Sequence, residues 1–565
     1  MSTRRREYLD LVADFETTTD PEDCRVWAWG LADVSDVPWF KHGNSLPSFI
    51  NMLASFDSYV YFHNLAFDMY FILDWLLNNG FEHTTGKVRR NTFSTLIDRM
   101  GKAYTIDVMW NTGRKTQFRD SLKRIPMPVR DIATTFGLPI MKGEIDYHTY
   151  REPGHILTGE EVEYLKNDVH IVAMALDIQK REGMTKLTVG SDALHSYKTL
   201  GQGDWFRQRF PLLDRDWDAE IRKAYRGGFT YADPRFQGRI LGEGNVYDVN
   251  SLYPSVMQQK PIPWGVPQRF DTLAEAGDNM RPDDFCVTNI VFGATLKPDR
   301  IPCIQVKGSS MYQATEYQSV IEPGTDMWAC NVDLQLWREQ YDMDIEVAGV
   351  TYVFRTETGL FDDYIERWGA IKRNSFGGRR AIAKLFLREE LNSLYGKFAT
   401  NPDCTGKIPV LDKGVVRLIV GESEERDPVY TAAGVAITAH ARAITVRAAQ
   451  AHYQQFAYAD TDSLHLVGEP PQGLDIDPAR LGAWKHEGHF TRALFARAKA
   501  YTEEQDDGRL VTHIAGLPAA AAELVRFEDY FTGKVFGGKL TPVKVPGGVV
   551  LKDVGFTLAK LLDNG

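Results

Sequence analysis

The fold of this chain is organised around one short segment, Phe456-Ala457-Tyr458-Ala459-Asp460-Thr461-Asp462-Ser463-Leu464-His465-Leu466. An apolar run leads to two aspartates separated by one threonine, and alternating residues follow, which predicts a β-hairpin with acids at its tip. Two such carboxylates can hold Mg²⁺, since this ion prefers oxygen ligands and leaves room for water and phosphate. An isolated Asp-x-Asp is more often an ordinary turn, so the choice depends on other segments.

Length and composition predict a globular protein with several domains. The chain has 565 residues, more than one core usually holds, and 43% of them are hydrophobic. No run of about 18 apolar residues occurs, so we expect neither a membrane span nor a signal peptide. The five cysteines form no Cys-x-x-Cys pair, which favours reduced thiols in a cytosol and no zinc site.

The charge of the chain is unevenly distributed. Its net charge is −11, which taken alone argues against a nucleic-acid partner. Between Ile371 and Lys407, however, eight Lys or Arg stand against three Asp or Glu. An acidic body with a basic strip suits an enzyme that needs acids for metal ions and a positive groove for phosphates.

The first third of the chain contains three acidic patterns. Asp14 and Glu16 are two residues apart in a predicted strand, so both side chains lie on the same face. Asp68 lies near the start of a predicted apolar helix, and Tyr164 and Asp168 share a face of another helix. Alone, Asp68 is more often a helix cap and Tyr164 a core residue. Together, the four acids could hold two metal ions.

In order and spacing, these patterns resemble the three exonuclease motifs of the ribonuclease-H-like 3′–5′ proofreading domain. The resemblance implies that the four acids hold two metal ions across a scissile phosphate and that Tyr164 orients the attacking water. It implies Glu144 as an auxiliary acid. It also implies a set of DNA contacts: Thr17, Tyr61, His63, Asn64, Phe67, Ser121, Leu122 and Lys142.

A third acid for the hairpin lies at Asp248, at the end of a predicted strand that turns at Asn250–Pro254. This segment resembles motif A, Asp-x-x-Ser-Leu-Tyr-Pro, of family B DNA polymerases. The resemblance implies that four groups hold two ions, which activate a primer 3′ hydroxyl and neutralise a triphosphate: Asp248, Asp460, Asp462 and the Val249 carbonyl. Tyr253 is expected under the sugar, where it excludes a 2′ hydroxyl; the alternative is a core tyrosine.

A predicted helix presents Arg388, Asn392 and Tyr395 on one face. This face is similar to motif B, Lys-x-x-x-Asn-Ser-x-Tyr-Gly, of the helix that receives the nucleotide in the same family. Arg388 replaces the family lysine, and its pKa is too high to release a proton readily to pyrophosphate. Lys384, one turn earlier, is the alternative donor, and Lys372 is a second phosphate-binding candidate. We expect Arg388→Ala to raise the nucleotide KM more than Lys384→Ala does.

Three more segments resemble elements that touch DNA in that family. The alternatives are a turn, a solvated face or a strand edge. Their residues are Tyr225, Arg226, Gly227 and Gly228 of a Tyr-x-Gly-Gly segment, Thr438 and Arg442 of a Thr-x-x-Gly-Arg element with alanine for glycine, and Lys499 and Tyr501 of a Lys-x-Tyr element.

The resemblance covers nearly the whole chain and is strongest to the protein-primed, phi-29-like branch of family B. That branch carries two insertions, one that contacts a terminal protein primer and one that closes a ring round the template. Long segments stand at both places here, the second being Asn401–Asp427, and composition alone predicts that they are irregular.

We therefore predict a mixed α/β, multidomain chain, with a ribonuclease-H-like 3′–5′ exonuclease domain followed by a right-hand polymerase. The lysine-dotted end predicts a β-rich thumb. The predicted boundaries are exonuclease 1–188, first part of the palm 189–259, first insertion 260–358, fingers 359–399, second insertion 400–428, second part of the palm 429–513 and thumb 514–565.

The predicted function is template-directed, protein-primed, strand-displacing and processive DNA synthesis for a phage genome, with two-metal proofreading. Two Mg²⁺ ions per active site are expected, with Mn²⁺ as a substitute. The expected partners are template–primer DNA, deoxynucleoside triphosphates and a terminal protein that forms a heterodimer with an otherwise monomeric chain. We expect no membrane partner and a location in the cytoplasm of the bacterial host.

Three alternatives remain at this point. A conventional family B polymerase that extends nucleic-acid primers would share both sites but need no insertions. A nuclease with an inactive polymerase body would lose nothing on Asp460→Ala. A non-enzymatic replication scaffold would show no dependence on metal ions.

Overall fold

The computed structural model describes residues 6–146, 149–201, 204–306, 317–374 and 391–558. Within these ranges the chain has the mixed α/β, multidomain architecture expected from the sequence. Lys384 and Arg388 lie outside the described residues, and so do the side chains of Lys372 and Asn392.

The amino-terminal region is built on an eight-stranded sheet in the order β3-β2-β1-β4-β8-β7-β6-β5. β1 pairs antiparallel with β2 and parallel with β4, so Asp14 and Glu16 lie near the middle of the sheet. The strands are β1 (Leu9–Thr17), β2 (Val26–Asp33), β3 (Phe40–Gly43), β4 (Ser58–Phe62), β5 (Glu82–His83), β6 (Thr92–Ile97), β7 (Ala103–Met109) and β8 (Lys115–Asp120). The helices are α1 (Leu46–Leu53), α2 (Leu65–Asn78), α3 (Val129–Phe136) and α4 (Gly159–Arg181).

Two helices position the acids that are not on β1. The Thr158 hydroxyl accepts the Glu161 N–H, and the Glu161 carboxylate accepts the Thr158 N–H, a reciprocal cap that sets where α4 begins. α4 lies against β1 and β2 and buries Asp168. α2 follows Asn64, whose φ of 80° turns the chain so that Asp68 enters the first helical turn. The predicted strand and both predicted helices are confirmed.

The acidic hairpin belongs to a five-stranded antiparallel sheet in the order β20-β11-β19-β18-β9. The predicted hairpin is confirmed as β18 and β19, with Thr461 at φ 62° in the turn. A four-stranded sheet, β10-β21-β22-β23, adjoins it. The strands are β9 (Thr230–Ala232), β10 (Ile240–Leu241), β11 (Gly244–Val249), β18 (Phe456–Asp460), β19 (Ser463–Val467), β20 (Trp484–Phe490), β21 (Arg492–Arg497), β22 (Ala500–Glu504) and β23 (Leu510–Ile514).

Both predicted insertions contain regular strands, so the expectation that they are irregular is wrong. The first is a sheet in the order β12-β15-β13-β14, and the second is the hairpin β16-β17. The first sheet pairs strands that are far apart in the sequence, such as β12 with β15, which local composition does not reveal. β16 and β17 are instead joined by a short turn at Lys413 and Gly414. The elements are β12 (Ile262–Phe270), α9 (Leu273–Gly277), β13 (Phe285–Leu296), β14 (Val320–Cys330), α10 (Asn331–Gln340), β15 (Tyr341–Glu357), β16 (Lys407–Asp412) and β17 (Val415–Val420).

The remaining helices connect these sheets. The longest of these remaining helices, α13 (Thr431–Ala451), lies behind the hairpin β18-β19, and most of its residues are buried. They are α5 (Val189–Lys198), α6 (Trp205–Arg209), α7 (Arg215–Arg222), α8 (Leu252–Gln259), α11 (Asp362–Asn374), α12 (Leu391–Phe398), α13 (Thr431–Ala451), α14 (Ala519–Ala522) and α15 (Asp529–Thr532). None of the helices in the described part of the chain is long and apolar enough to cross a bilayer.

The β-rich structure predicted for the carboxyl end is confirmed as a long hairpin, β24 (Val535–Val545) and β25 (Gly548–Thr557), whose turn reaches the amino-terminal region. Gly547 and Gly548 both have positive φ, at 88° and 155°. A Cβ at Gly547 would lie 2.4 Å from the Cys24 carbonyl, and one at Gly548 would lie 2.5 Å from the Phe71 ring. Glycine is therefore required here both by the turn and by the close approach.

Candidate active sites

Three carboxylates meet near the end of β1. Oxygens of Asp14, Glu16 and Asp168 lie within 4.8 Å of one another. Asp68 is buried and close enough to Asp14 and Glu16 for their charges to raise its pKa, but it is not part of this closest group. The structure therefore brings the four predicted acids into one region.

Crowding and burial make these acids hard to ionise. Burial and the Asp168 charge raise the pKa of Asp14 to about 7, while Lys142 opposes the shift. Burial first, and neighbouring carboxylates next, hold the pKa values of Glu16 and Asp68 well above their usual range. Burial also raises the pKa of Asp168. Such a group is stabilised by a cation, which removes the repulsion between like charges.

Lys142 already supplies one positive charge to this cluster. Its ammonium group donates to the Tyr164 hydroxyl at 3.0 Å and also contacts the Asp168 carboxylate. Tyr164 is thereby held beside the acids. Glu144 is exposed two residues further on and is not among the carboxylates that meet in the described part of the chain.

A cleft of about 570 Å³ opens over the cluster. It is lined by four of the predicted DNA contacts, Thr17, His63, Phe67 and Lys142, and by the thumb residues Leu540 and Leu551. Asn64 is exposed beside it and Leu122 is partly exposed. The backbone N–H groups of Asn64 and Leu122 both donate to the Asp120 carboxylate, at 3.1 and 3.0 Å. These hydrogen bonds fix the loops at this edge of the cleft.

Two predicted DNA contacts are buried, which corrects the expectation that they touch a primer end. Tyr61 is 4% exposed, and its hydroxyl accepts hydrogen bonds from Arg119 and Arg124. Ser121 has no exposed surface, and its hydroxyl donates to the Phe62 carbonyl. These side chains stabilise the wall behind the cleft.

The second site forms where β11 and the hairpin lie side by side. Asp248 on β11 and Asp460 on β18 both pair with Ser463 of β19, and the Val249 N–H donates to the Asp462 carbonyl at 2.8 Å. Burial, followed by the Asp462 charge, raises the pKa of Asp248 to about 7. The three aspartates, distant in sequence, therefore converge.

Three residues donate hydrogen bonds to the Asp460 carboxylate, Lys499, Thr230 and Thr461. Lys499 donates to its two carboxylate oxygens at 2.9 and 2.8 Å, and the Thr230 hydroxyl donates at 2.8 Å. The Lys499 backbone is fixed as well, since its N–H donates to the Tyr458 hydroxyl at 3.0 Å. The Tyr501 ring packs against the Tyr458 ring, with centroids 4.9 Å apart and an interplanar angle of 48°. The predicted Lys-x-Tyr element thus borders the acids directly.

Two tyrosines form the floor next to these acids. The rings of Tyr253 and Tyr395 stack with centroids 4.3 Å apart and an interplanar angle of 25°. Tyr253 is 6% exposed, whereas Tyr395 is partly exposed. Val249 is 2% exposed. The stack places an aromatic surface at the junction of the palm with α12.

The Tyr-x-Gly-Gly segment lies against the hairpin tip. A Cβ at Gly228 would come 2.7 Å from the Thr461 hydroxyl oxygen, so only glycine allows this approach. Gly227 is exposed, and Tyr225 and Gly228 are partly exposed. These residues can face a ligand. Arg226 is buried, and its guanidinium donates to the Trp328 carbonyl at 2.8 Å.

The Thr438–Arg442 element is also buried, which corrects the predicted direct contact of Thr438, Arg442 and Arg226 with DNA. Arg442 is 4% exposed and donates to both carboxylate oxygens of Asp333 at 2.8 Å. It also donates to the carbonyls of Arg226 and Gly227. Thr438 has no exposed surface. The element supports the glycine loop from behind.

Sequence reasoning missed several residues at these sites. Glu487 on β20 is near enough to Asp248 to raise its pKa, and Lys485 opposes that effect. Asp333 of the first insertion anchors Arg442, and Leu540 and Leu551 of the thumb line the first cleft. Of these residues, only Glu487 could have been found from local sequence. Lys485 and Glu487 are two residues apart in one strand, a spacing typical of charged side chains on the same face.

The donor sets of both sites fit a hard divalent cation. All candidate ligands are carboxylate or carbonyl oxygens, which Mg²⁺ prefers. Oδ1 of Asp168 and Oδ1 of Asp248 are buried without a hydrogen-bond partner among the described residues. Buried carboxylate oxygens are rarely left unsatisfied unless an ion or water binds them.

Comparisons with known proteins agree with this geometry. The family described as DNA polymerase type B, organellar and viral, matches residues 52–472. The DNA polymerases of Bacillus phages Nf and phi29 are each 43% identical to this chain, over 96% of it and 98% of their own length. That of Streptococcus phage Cp-1 is 33% identical with the same coverage. The solved structure of phi29 DNA polymerase with primer–template DNA and incoming nucleotide matches with a TM-score of 0.90 at 41% identity, over 98% of this chain and 100% of that chain.

Proposed function

The chain belongs to the phi29-like, protein-primed branch of the type B DNA polymerases, and from this we propose that its two carboxylate sites perform synthesis and proofreading respectively. It is a DNA-directed DNA polymerase of phage type. The observation that carries the assignment of the synthesis site is the convergence of Asp248 with Asp462 through adjacent strands.

At the synthesis site, Asp248, Asp460, Asp462 and the Val249 carbonyl hold two Mg²⁺ ions, which Mn²⁺ can replace. When bound, these ions lower the pKa of a primer 3′ hydroxyl and neutralise charge on the triphosphate. Lys499 competes for Asp460 and positions it. Lys499 and Tyr501 also border the primer strand, and Tyr225, Gly227 and Gly228 approach the DNA backbone.

The incoming nucleotide lies over the stacked pair Tyr253 and Tyr395, where a 2′ hydroxyl would meet the Tyr253 ring. Stacked aromatic rings present a rigid apolar surface that suits a sugar and base. Four fingers residues complete the pocket by binding phosphates and the base pair: Lys372, Lys384, Arg388 and Asn392. In this assignment Arg388→Ala raises the nucleotide KM more than Lys384→Ala does, and an equal or reversed effect would rule out the assigned register of the helix.

The amino-terminal site removes mismatched nucleotides. Asp14, Glu16, Asp68 and Asp168 hold two ions, with Glu144 as an auxiliary acid, and Tyr164 orients the water. The cleft takes the frayed primer end, because Phe67 and His63 can stack on bases of any identity. Thr17, Asn64, Leu122 and Lys142 contact the strand.

The domain assignment follows the predicted boundaries: exonuclease 1–188, palm 189–259 and 429–513, insertions 260–358 and 400–428, fingers 359–399 and thumb 514–565. The first insertion contacts the terminal protein, and the second closes the channel round the template. Packing of both β16-β17 and β24-β25 against α2 supports this closure. In this proposal the closed ring makes synthesis processive and strand-displacing, and the enzyme acts in the cytoplasm of the bacterial host.

Primer extension on a singly primed circle tests this proposal. With Mg²⁺ and all four dNTPs, we expect product many times the length of the circle. Without dNTPs, we expect the primer to shorten. A double variant, Asp14→Asn with Glu16→Gln, should lose shortening and keep synthesis. Synthesis without shortening in the unmodified chain would contradict the proofreading assignment.

Protein priming needs its own experiment. With purified terminal protein from the same genome, one labelled dNMP should become attached to the terminal protein in the presence of template and Mg²⁺. Failure of this transfer, alongside normal extension of DNA primers, would favour the conventional nucleic-acid-primed alternative.

A further inference from the structure

A second cavity lies in the amino-terminal region, apart from the proofreading cleft. It has a volume of about 230 Å³, and none of its lining residues lines the cleft. Lys180 on its wall follows Asp168 by twelve residues, about 18 Å along α4. Three cationic side chains, Arg119, Arg124 and Lys180, line this space, which we call the arginine cavity.

Arg124 is the most buried of these cations, with 3% of its surface exposed. Its Nη2 donates to the Met184 carbonyl at 2.7 Å, and its Nη1 donates to the Tyr61 hydroxyl at 3.3 Å. Its Nε is buried with no hydrogen-bond partner among the described residues. A buried, unpaired donor on a charged group is costly, so an acceptor at this position would stabilise the site.

Arg119 lies next to Arg124 and is held in a fixed plane. Its guanidinium stacks 3.5 Å from the Tyr59 ring centroid, its Nε donates to Gln117 at 2.6 Å, and its Nη1 donates to the Tyr61 hydroxyl at 2.9 Å. One neutral hydroxyl therefore accepts from both guanidinium groups. Like charges brought together around an uncharged acceptor attract an anion.

Nearby acids compensate these charges only in part. Asp10, also on the wall, pairs with Lys180 at 2.6 Å. Asp192 interacts with Arg124 through its charge, but it does not line the cavity, and its Oδ1 accepts the N–H groups of Thr185 and Lys186. Counting Arg119, Arg124 and Lys180 against these two acids leaves one positive charge.

We propose that the arginine cavity binds a small phosphate anion, either inorganic phosphate or pyrophosphate. Guanidinium groups bind phosphate oxygens through pairs of N–H donors, and Arg119 and Arg124 both have donors left. The cavity is smaller than the roughly 300–1,000 Å³ of pockets for drug-sized ligands, which excludes a whole nucleotide. DNA synthesis releases pyrophosphate, so the enzyme itself supplies one of these ligands.

Calorimetric titration of the full chain tests this inference, and the Arg119→Gln variant described below separates binding in the arginine cavity from phosphate binding at the synthesis site. The titrations use EDTA to remove divalent ions, with sodium pyrophosphate, sodium phosphate and dAMP as separate ligands. We expect one saturable site for pyrophosphate or phosphate and weaker binding of dAMP. The tighter of the two inorganic anions identifies the ligand.

Two variants with the same loss of charge locate the site. Arg119→Gln should raise the dissociation constant at least about tenfold. Arg114→Gln, at an exposed residue of the same region that pairs with Asp57, should leave it unchanged. Arg119 is partly exposed, so its variant should fold, which thermal unfolding verifies.

Three results would overturn the inference. The first is no saturable binding of either anion up to about 10 mM. The second is equal binding by the unmodified chain and Arg119→Gln. The third is dAMP binding more tightly than both inorganic anions, because the volume argument would then be wrong.

Discussion

Asp248 and Asp460 lie on opposite sides of Ser463, yet their surroundings differ. The Asp460 carboxylate accepts four hydrogen bonds, from Lys499, Thr230 and Thr461. Oδ1 of Asp248 is buried and has none among the described residues. Asp248 therefore keeps one buried oxygen for a cation, whereas Asp460 must exchange its hydrogen bonds from Lys499 for one. The acids on adjacent strands thus contribute differently to the same site.

Substitution of Asp248 or Asp462 by asparagine should abolish synthesis with little change in folding. Each change keeps the side-chain shape and removes a negative charge that the ions require. We expect primer extension to fall at least about 100-fold, since even neighbours of metal ligands commonly account for about 10–100-fold. Degradation of a single-stranded oligonucleotide is the control and should remain. Extension within a few-fold of the unmodified rate would rule out these residues as ligands.

The stability of the chain should depend on pH and on Mg²⁺ together. The folded-state pKa values of Asp14 and Asp248 are about 7, above the ordinary aspartate value. At pH values between the ordinary aspartate pKa and about 7, the folded chain binds more protons than the unfolded chain. The free energy of unfolding therefore falls as the pH rises through this range. A bound cation removes that loss. We therefore expect Mg²⁺ to raise Tm more at about pH 8 than at about pH 6.

Thermal unfolding at the two pH values, with Mg²⁺ or EDTA, measures this effect. A double variant, Asp14→Asn with Asp248→Asn, should show a smaller difference between the two pH values. An equal Mg²⁺ effect at both pH values in the unmodified chain would contradict the prediction.

At the scale of single elements, helix α13 connects several parts of the synthesis site. The Thr445 hydroxyl donates to the Thr461 carbonyl at 2.7 Å, which fixes the hairpin tip. Arg442 holds Asp333 of the first insertion. A Cβ at Gly434 would lie 2.5 Å from the Ala399 Cβ, so glycine lets the end of the fingers approach closely. Small residues along this helix make such contacts possible.

Loss of Arg442 should destabilise the chain far more than loss of Arg447 on the same helix. Arg442→Ala leaves Asp333 buried without its bidentate partner, which typically costs about 3–5 kcal/mol. Arg447 pairs with Glu339, which lies on α10 together with Asp333, but the Arg447 side chain is 46% exposed. Its removal should cost less than about 1 kcal/mol. Urea unfolding of both alanine variants compares them, and similar losses would contradict this account.

At the scale of the whole molecule, two hairpins from distant parts of the chain meet on one helix. β16-β17 and β24-β25 both pack against α2, and β17 also contacts β24. Val416 and Val549 are buried in the same core as Phe71. The two hairpins and the amino-terminal region are therefore joined by apolar packing, which is a contact that the proposed closure round the template requires.

Disruption of this junction should shorten products without stopping synthesis. Val416→Asp places a charge where the side chain is 1% exposed and should release the hairpin from the core. Ile419→Asp, on the same strand at 46% exposure, is the matched control. The length of DNA made in a single binding event should fall at least several-fold for Val416→Asp, and it should not change for Ile419→Asp. Unchanged length, with the first nucleotide still added, would show that closure does not depend on this contact.

The sequence by itself determined the elements that carry the acids. The alternation in β1 and β18-β19 and the helix face of Tyr164 and Asp168 were enough to predict these elements, because strand and helix periods fix local side-chain direction. The order of the motifs was enough to identify the family. Neither observation required knowledge of long-range contacts.

Only the tertiary structure decided which of the predicted residues are accessible and which partners they have. Tyr61, Ser121, Thr438 and Arg442 are buried because distant segments pack over them, and periodicity does not report that. The same holds for the two thumb leucines in the proofreading cleft and for the pairing of Lys499 with Asp460. Burial and charge pairing arise from segments far apart in the chain, so the physical reason is the long-range packing that local sequence does not encode.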